Sequence, residues 1–286
     1  MRFRSAAAPT ELEWPTLFVA LVIYGGWLAV TFSSTYIPTP LLSLVGGWLI
    51  AWQGSLQHET IHGHPTRNPR LNRVIGWPPL SLWLPYEIYR QTHIAHHATE
   101  HLTDPRHDPE SRYLIQPTRA GAALAMLQST LLGRLVLGPV IEIGRFLARE
   151  ALALTRNDAG RRWIWAMHLL GGALVGVWVT VVCGMSLSRY VLCFVYPGAA
   201  FSLLRSYVEH RADAMAGRRI AVVEQAPILG LLFLNNNLHA AQRPDLVAQG
   251  APVYRGYADV VRRYLVRPHD AAVYPHVRTT RGEGPG

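Results

Sequence analysis

The sequence contains no lysine, only two cysteines and few charged residues. All 27 basic residues are arginine. Charged residues make up 16% of the chain, whereas a typical soluble domain has roughly 25%. Cys183 and Cys193 both fall in or beside apolar runs and form no C-x-x-C pair, so no disulfide framework is indicated. This composition excludes both an ordinary soluble domain and a disulfide-stabilised one.

Long stretches of the chain carry no charge at all. No Asp, Glu, Lys or Arg occurs from Trp14 to Gln57, from Trp163 to Ser188 or from Tyr190 to Leu204. A helix that spans a membrane needs about 20 mostly apolar residues. We therefore predict an all-α integral membrane protein with four transmembrane helices, at about 16–32, 40–56, 163–183 and 190–206.

The remaining segments are predicted to form a histidine-rich helical cap, so that residues 1–286 make a single domain. The cap comprises residues 57–162 and 207–270, and the glycine-rich tail 277–286 is predicted to be disordered. Within the cap, Val74–Tyr86 contains three prolines and cannot be a straight spanning helix. Residues 120–133 are apolar but short, which suits an interfacial or re-entrant helix.

The arginines indicate the orientation of the chain. Arg189 is the only one predicted on the far side of the membrane; the others lie at the N-terminus, between 57 and 162, or from Arg205 onward. The positive-inside rule then places both termini and the cap in the cytoplasm. The net charge of +9 is accompanied by neither a basic helix nor an RNA-binding aromatic motif, so nucleic acid is not a predicted partner.

The stretch "SLQHETIHGHP" contains H-E-x-x-H, the zinc-protease motif. His58 and His62 are four residues apart and share one helix face, and Glu59 is placed to act as a general base. Glu59 is therefore the candidate catalytic residue. A pair of histidines at this spacing is also common on helix surfaces, so the motif alone does not identify a metal site.

A second histidine cluster changes the interpretation. "RQTHIAHHATEH" places His93, His96 and His97 within one narrow face of a helix, while His210 and His239 follow the last span. Converging imidazoles with few thiolates or carboxylates suit iron, copper or zinc. His101 and His107 border this cluster. The other histidines stand alone and are predicted to be surface or packing residues: His64, His168, His269 and His276.

The two clusters together favour a metal site larger than that of a protease. A zinc protease needs a third ligand and a water molecule, and a second triple-histidine helix has no role in it. The last two predicted spans also contain no Asp or Glu that could be a further ligand. Glu59 is then better explained as a residue that orients a ligating histidine.

These motifs resemble the membrane fatty acid desaturase superfamily. The likeness covers about residues 40 to 265 and includes the runs "HIAHHATEHLTDPRHDPES", "SYVEHRA" and "LLFLNNNLHA". Among bacterial members it is greatest to the branch that includes dihydrorhizobitoxine desaturase. The resemblance implies a protein of the bacterial inner membrane that holds two iron ions through histidines of a cytoplasmic cap. It also implies O₂ as co-substrate and electrons from a small redox protein, such as a ferredoxin with its reductase.

The resemblance implies a set of iron ligands. This chain departs from the family pattern in the third histidine box. Where the family usually has H-x-x-H-H, this chain has His239-Ala240-Ala241-Gln242-Arg243. An amide oxygen is a weak donor, and a guanidinium cannot ligate a metal and repels it. The second iron site therefore depends on how this box is completed. The candidate metal ligands are His58, His62, His93, His96, His97, His210, His239 and Gln242.

The predicted function is the O₂-dependent introduction of a double bond into a fatty acyl or lipid-like substrate. Hydroxylation is the nearest alternative, because the same oxidising centre could transfer an oxygen atom to the substrate carbon. A non-catalytic relative with an incomplete metal site is a third possibility, and a zinc intramembrane protease is the last.

Overall fold

The described part of the chain is almost wholly helical. A computed structural model describes residues 12–112, 118–128, 130–156, 158–210, 222–224, 230, 234 and 253–255. The helices in this part are α1 (Trp14–Phe32), α2 (Thr39–Ile61), α3 (Pro69–Gly76), α4 (Tyr86–Ala98), α5 (Arg119–Gln128), α6 (Leu131–Thr155), α7 (Ala159–Val177), α8 (Leu187–Tyr190) and α9 (Tyr196–Glu209).

Short irregular helices connect or extend several of these elements. A 3₁₀ turn, Ser34–Tyr36, lies between α1 and α2. The wider π-helical turns Trp178–Val182 and Val191–Val195 extend α7 and join α8 to α9. Two strands of three residues each, β1 (Val222–Glu224) and β2 (Val253–Arg255), pair in parallel. This pair is a small departure from the predicted all-α fold.

Local sequence explains where the helices begin. Prolines occupy the first helical turn of α1 and α2, where a missing backbone N–H costs nothing. The side chain of Asn68 caps α3 by accepting from the backbone N–H of Arg70 at 2.9 Å. Thr130 and Asp158 cap α6 and α7 in the same way.

Three helical segments are long and apolar enough to cross a membrane: Trp14–Phe32, Ala159–Val182 and Leu187–Tyr207. They correspond to three of the four predicted spans. Large apolar side chains are exposed on them, including Leu21, Leu169 and Val181 at 68%, 63% and 76%. Such surfaces suit lipid rather than water. The helical architecture and the apolar spans are therefore confirmed, whereas the number four and the cytoplasmic cap stay predictions.

The bent pair α5 and α6 can supply a fourth span. The two helices meet at 118° and together are apolar enough to cross or re-enter the membrane. The prediction of a short helix at 120–133 missed the 25 residues of α6, which begins at Leu131. Glu142 and Glu150 lie within α6 and are buried against arginines, so these two acids face protein instead of lipid.

Helix α2 covers the predicted span 40–56 but is surrounded by other helices. Its buried residues include the polar Gln53, Ser55 and Gln57, which explains why it is less apolar than the lipid-facing helices. Glycines let it approach α9 closely, because a Cβ at Gly47 would lie 2.7 Å from the Cβ of Pro197. Small residues at such contacts are typical of helix packing in membranes.

The end of α2 is fixed by a turn and by contacts to two further helices. Gly63, with φ of +98°, follows the last turn, and the N–H of His64 donates to the carbonyl of Glu59 at 3.1 Å. This is a Schellman motif, which ends the helix directly after the H-E-x-x-H segment. The side chain of Gln57 donates to the carbonyl of Gly76, and Thr60 bonds the hydroxyl of Tyr86. The motif is thus held rigidly against α3 and α4.

Candidate metal centre

Four histidines from α2 and α4 converge on one point. One ring nitrogen from each lies within 4.8 Å of the others: His58, His62, His93 and His97. The Nε2 atom of His93 lies 3.1 Å from Nε2 of His62 and 3.0 Å from Nε2 of His97. The ring centre of His58 lies 4.6 Å from that of His93. The two motifs singled out from the sequence therefore form one cluster.

Neighbouring carboxylates determine which ring nitrogens point into the cluster as acceptors. Nδ1 of His93 faces both oxygens of Glu110 at 3.2 Å, and Nδ1 of His58 faces Glu59 at 3.0 Å. A carboxylate accepts hydrogen bonds, so these Nδ1 atoms carry the hydrogen. The Nε2 atoms of His58 and His93 are left with lone pairs, as metal ligands require.

The spacing of the nitrogens fits a metal ion. Metal–imidazole bonds of about 2.0–2.1 Å at right angles would place two nitrogens about 3.0 Å apart. The separations of 3.1 and 3.0 Å around Nε2 of His93 match that value. Burial, and then the neighbouring imidazoles, lower the pKa of His62 and His97, which keeps both rings neutral. The donor set and the two separations around His93 therefore suit a resident metal.

His96 and His210 form a second group beside the first. Their ring centres lie 5.3 Å apart at nearly a right angle, and the ring of His96 lies 6.0 Å from that of His93. His96 is 4% exposed. Burial, followed by the proximity of His96, lowers the pKa of His210. These two imidazoles can contribute to a second metal site next to the four-histidine cluster.

Two carboxylates accept hydrogen bonds from the Nδ1 atoms of two histidines of α4. Oδ1 of Asp108 accepts from Nδ1 of His96 at 2.7 Å, and Glu110 does the same for His93. Burial alone would raise the pKa of both carboxyl groups. Hydrogen bonds and charge interactions with these histidines lower the pKa by a larger amount, so the net pKa is lowered and both groups remain ionised. Carboxylates in this position orient ligating imidazoles and increase their basicity.

The loop after α4 is folded to present these acids. Oδ2 of Asp108 accepts from the backbone N–H of Thr103 at 2.8 Å, and its Oδ1 accepts from the N–H of Glu110 at 2.9 Å. The hydroxyl of Ser111 donates to the carbonyl of Thr103 at 2.6 Å. Asp108 therefore both closes the loop and anchors His96.

Asp108 and Glu110 are not among the functional residues predicted from the sequence. The signal was present, because both acids lie in the histidine-rich run "HLTDPRHDPES". The spacing of 12 and 17 residues between each acid and its histidine follows from the loop fold, not from helix periodicity. No periodic pattern could have paired them.

The remaining predicted residues lie elsewhere or outside the described part. His101 and His107 are exposed and lie next to each other, with ring centres 4.8 Å apart and ring planes tilted by 42°. His64 bonds Glu13 at 2.7 Å, and His168 donates to the carbonyl of Leu82 at 2.9 Å. His239, Gln242, His269 and His276, together with the predicted tail 277–286, lie outside the described residues.

A cavity of about 140 Å³ adjoins the histidines. It lies between α2, α4, α6, α9 and the loop after α4, and His93, His96 and His210 form one part of its wall. Trp83 and Leu84 provide apolar surface, whereas Arg112, Arg134 and Arg205 provide cationic surface. A substrate in this cavity would lie directly against the candidate metal ligands.

The contact between Glu59 and His58 leads to a prediction that separates two chemistries. If Glu59 orients His58, Glu59→Gln should reduce metal affinity or turnover by about 10–100-fold without abolishing either. A metalloprotease that used Glu59 as general base would lose its proteolytic product completely while keeping its zinc. Metal content and turnover measured on wild type and on Glu59→Gln distinguish these results, and proteolysis lost through this single change would contradict our assignment.

Comparison with known proteins agrees with this geometry. The family model described as fatty acid desaturase matches residues 34–241, which include both histidine motifs, His210 and the altered third box as far as residue 241. The chain therefore belongs to the fatty acid desaturase family. A search of curated proteins finds no match.

Proposed function

We propose that this protein is a membrane-bound, O₂-dependent desaturase with a histidine-ligated di-iron site. The observation that carries the proposal is the convergence of His58, His62, His93 and His97 within a chain of the fatty acid desaturase family. The family implies a lipid or acyl substrate and a membrane setting. The placement in the branch of dihydrorhizobitoxine desaturase stays a prediction.

The proposed roles follow from the contacts of each side chain. His58, His62, His93 and His97 would hold one iron. His96 and His210, with His239 and Gln242, would hold the second. Glu59, Asp108 and Glu110 would fix the orientation of His58, His96 and His93 through the hydrogen bonds at their Nδ1 atoms.

Bound iron would supply the reduction of O₂ and the oxidation of an unactivated C–H bond. In the overall reaction, a CH₂–CH₂ unit, O₂, two electrons and two protons give CH=CH and two waters. The protein positions the substrate in the cavity beside the histidines and limits the access of water. Trp83 and Leu84 contribute apolar surface to that cavity.

Two electrons must come from outside the chain, so we propose a small electron-transfer protein such as a ferredoxin with its reductase as partner. His58 lies in the last turn of α2, His62 directly after it and His210 directly after α9, which places these histidines at one end of the helical bundle. The arginine distribution supports a cytoplasmic location for that end and for both termini, with the spans in a bacterial inner membrane. A donor in the cytoplasm could then reach the site directly.

Hydroxylation and a non-catalytic role remain the alternatives to desaturation. Both use the same cluster and family match, so product analysis is needed to separate them. Purified protein in lipid nanodiscs, loaded with iron and given O₂, reduced ferredoxin and acyl substrates, should form a product two mass units lighter than its substrate. A product 16 mass units heavier would identify a hydroxylase. If iron-loaded protein consumed no O₂ with any acyl substrate, the enzyme proposal would fail.

A further inference from the structure

The loop that follows α4 is joined to α6 by an ion pair. Nη1 of Arg112 donates to Oε2 of Glu142 at 2.6 Å. Glu142 is only 6% exposed, and its other oxygen, Oε1, lies 3.3 Å from Nη1 of Arg145 on the same helix. Hydrogen bonds between a guanidinium and a carboxylate are charge-assisted and are among the stronger ones in proteins. The pair therefore fixes this part of the loop against α6.

The same part of the loop holds two histidines of the candidate metal centre. Asp108 accepts from Nδ1 of His96 at 2.7 Å. Glu110 accepts from Nδ1 of His93 at 3.2 Å, and Arg112 follows it by two residues. The backbone N–H of Glu110 donates to Asp108 at 2.9 Å, which ties the two acids together. This segment therefore connects α6 with both groups of histidines.

Arg112 acts on Glu110 as well as on Glu142. Its guanidinium attracts the charges of both carboxylates. A cation shared by two carboxylates offsets their mutual repulsion and favours positions of both close to it. Loss of either Arg112 or Glu142 should then allow Glu110 to move relative to His93.

Helix α6 has a second buried ion pair, which joins it to a different element. Glu150 is 5% exposed and accepts from Nε and Nη2 of Arg161, on α7, at 2.8 and 2.5 Å. Glu142 and Glu150 thus share a helix, a similar burial and an arginine partner. Of the two, Glu142 is the one bonded to the loop that orients His93.

We propose that Glu142 and Arg112 are positioning residues of the metal centre, which hold Glu110 against Nδ1 of His93. This inference rests on the proposed function in taking His93 as an iron ligand. It adds α6 to the elements that determine metal affinity, although the described histidine ligands lie on or directly after α2, α4 and α9.

Cobalt titration of metal-free protein purified in detergent tests the inference. Co²⁺ is a first-row dication that imidazoles bind, and its visible absorption reports the geometry of its ligands. Glu142→Gln should weaken Co²⁺ binding about 3- to 10-fold and change the spectrum. This loss is smaller than the roughly 10–100-fold typical of a residue that bonds a ligand directly. Glu150→Gln is the matched control, which should lose similar thermal stability but bind Co²⁺ as wild type does.

A double-mutant cycle shows whether Glu142 acts through Glu110. If it does, Glu142→Gln should cause little further loss of Co²⁺ affinity in Glu110→Gln protein, because the contact with His93 that it supports is already weakened. Arg112→Lys keeps the positive charge and should retain more of the affinity than Arg112→Gln.

Wild-type Co²⁺ affinity in Glu142→Gln, additive losses in the cycle, or an equal loss in Glu150→Gln would overturn the inference. If Glu142→Gln does not fold, Arg112→Gln replaces it in both comparisons. Because affinity is measured without turnover, a dependence on Glu142 without any acyl oxidation would contradict the proposed function alone. Acyl oxidation by iron-loaded protein whose metal affinity does not depend on Glu142 would contradict this inference alone.

Discussion

Replacement of His93 by alanine is expected to remove essentially all bound iron and all turnover. Nε2 of His93 is the nitrogen that lies within 3.1 Å of two others in the cluster, those of His62 and His97. Its ring also lies next to His96, at 6.0 Å between centres, so it connects the two groups of histidines. We expect iron affinity to fall by more than the roughly 10–100-fold typical for loss of a residue that only orients a ligand.

Iron per chain, measured by mass spectrometry on protein purified in detergent, is the primary measurement for His93→Ala. His101→Ala is the control, because His101 belongs to the same histidine-rich segment but is exposed and contacts His107. The control should retain wild-type iron. If His93→Ala also retained it, the four-histidine cluster would not be the metal site.

The membrane character and helices α1, α2, α7 and α9 could be predicted from the absence of charge alone. Uncharged runs of sufficient length must satisfy their backbone groups internally when they lie in lipid, and helices do so. Helix α6 was missed for the same reason, since Arg134, Glu142 and Arg145 interrupt its apolar residues. Its acids are buried in ion pairs with Arg112 and Arg161, which lie outside α6, and such pairs between different segments are not visible in composition.

Only part of the candidate site could be predicted from the sequence. Helix periodicity placed His58 with His62, and His93 with His97, and the structure brings these two pairs together. The assignment of Asp108 and Glu110 to individual histidines depends on a loop closed by side-chain to backbone hydrogen bonds. Arg134 reaches the cavity through the packing of α6 on α9, which is a tertiary contact. Periodicity describes one helix at a time and cannot predict such contacts.

The altered third histidine box should leave the two proposed metal sites unequal. The first site has four converging imidazoles, whereas His96 and His210 are the two described imidazoles of the second. Its further ligands would come from His239 and Gln242, outside the described residues. An amide oxygen binds iron more weakly than imidazole, and a guanidinium at Arg243 repels a dication. We therefore expect wild type to hold about one iron per chain tightly and the second weakly.

The double change Gln242→His with Arg243→His is expected to raise tightly bound iron from about one to about two per chain, because it restores two imidazoles to the weaker site. Arg243→Gln alone separates the two causes, since it removes the positive charge without adding an imidazole. If this single change restored the second iron, charge repulsion and not ligand number would limit binding. If wild type already held two irons and the double change lowered activity, the altered box would be a specialised ligand set and the second site would be complete as it stands. If wild type held no iron even when supplied with it, the enzyme proposal would fail and a non-catalytic member of the family would remain.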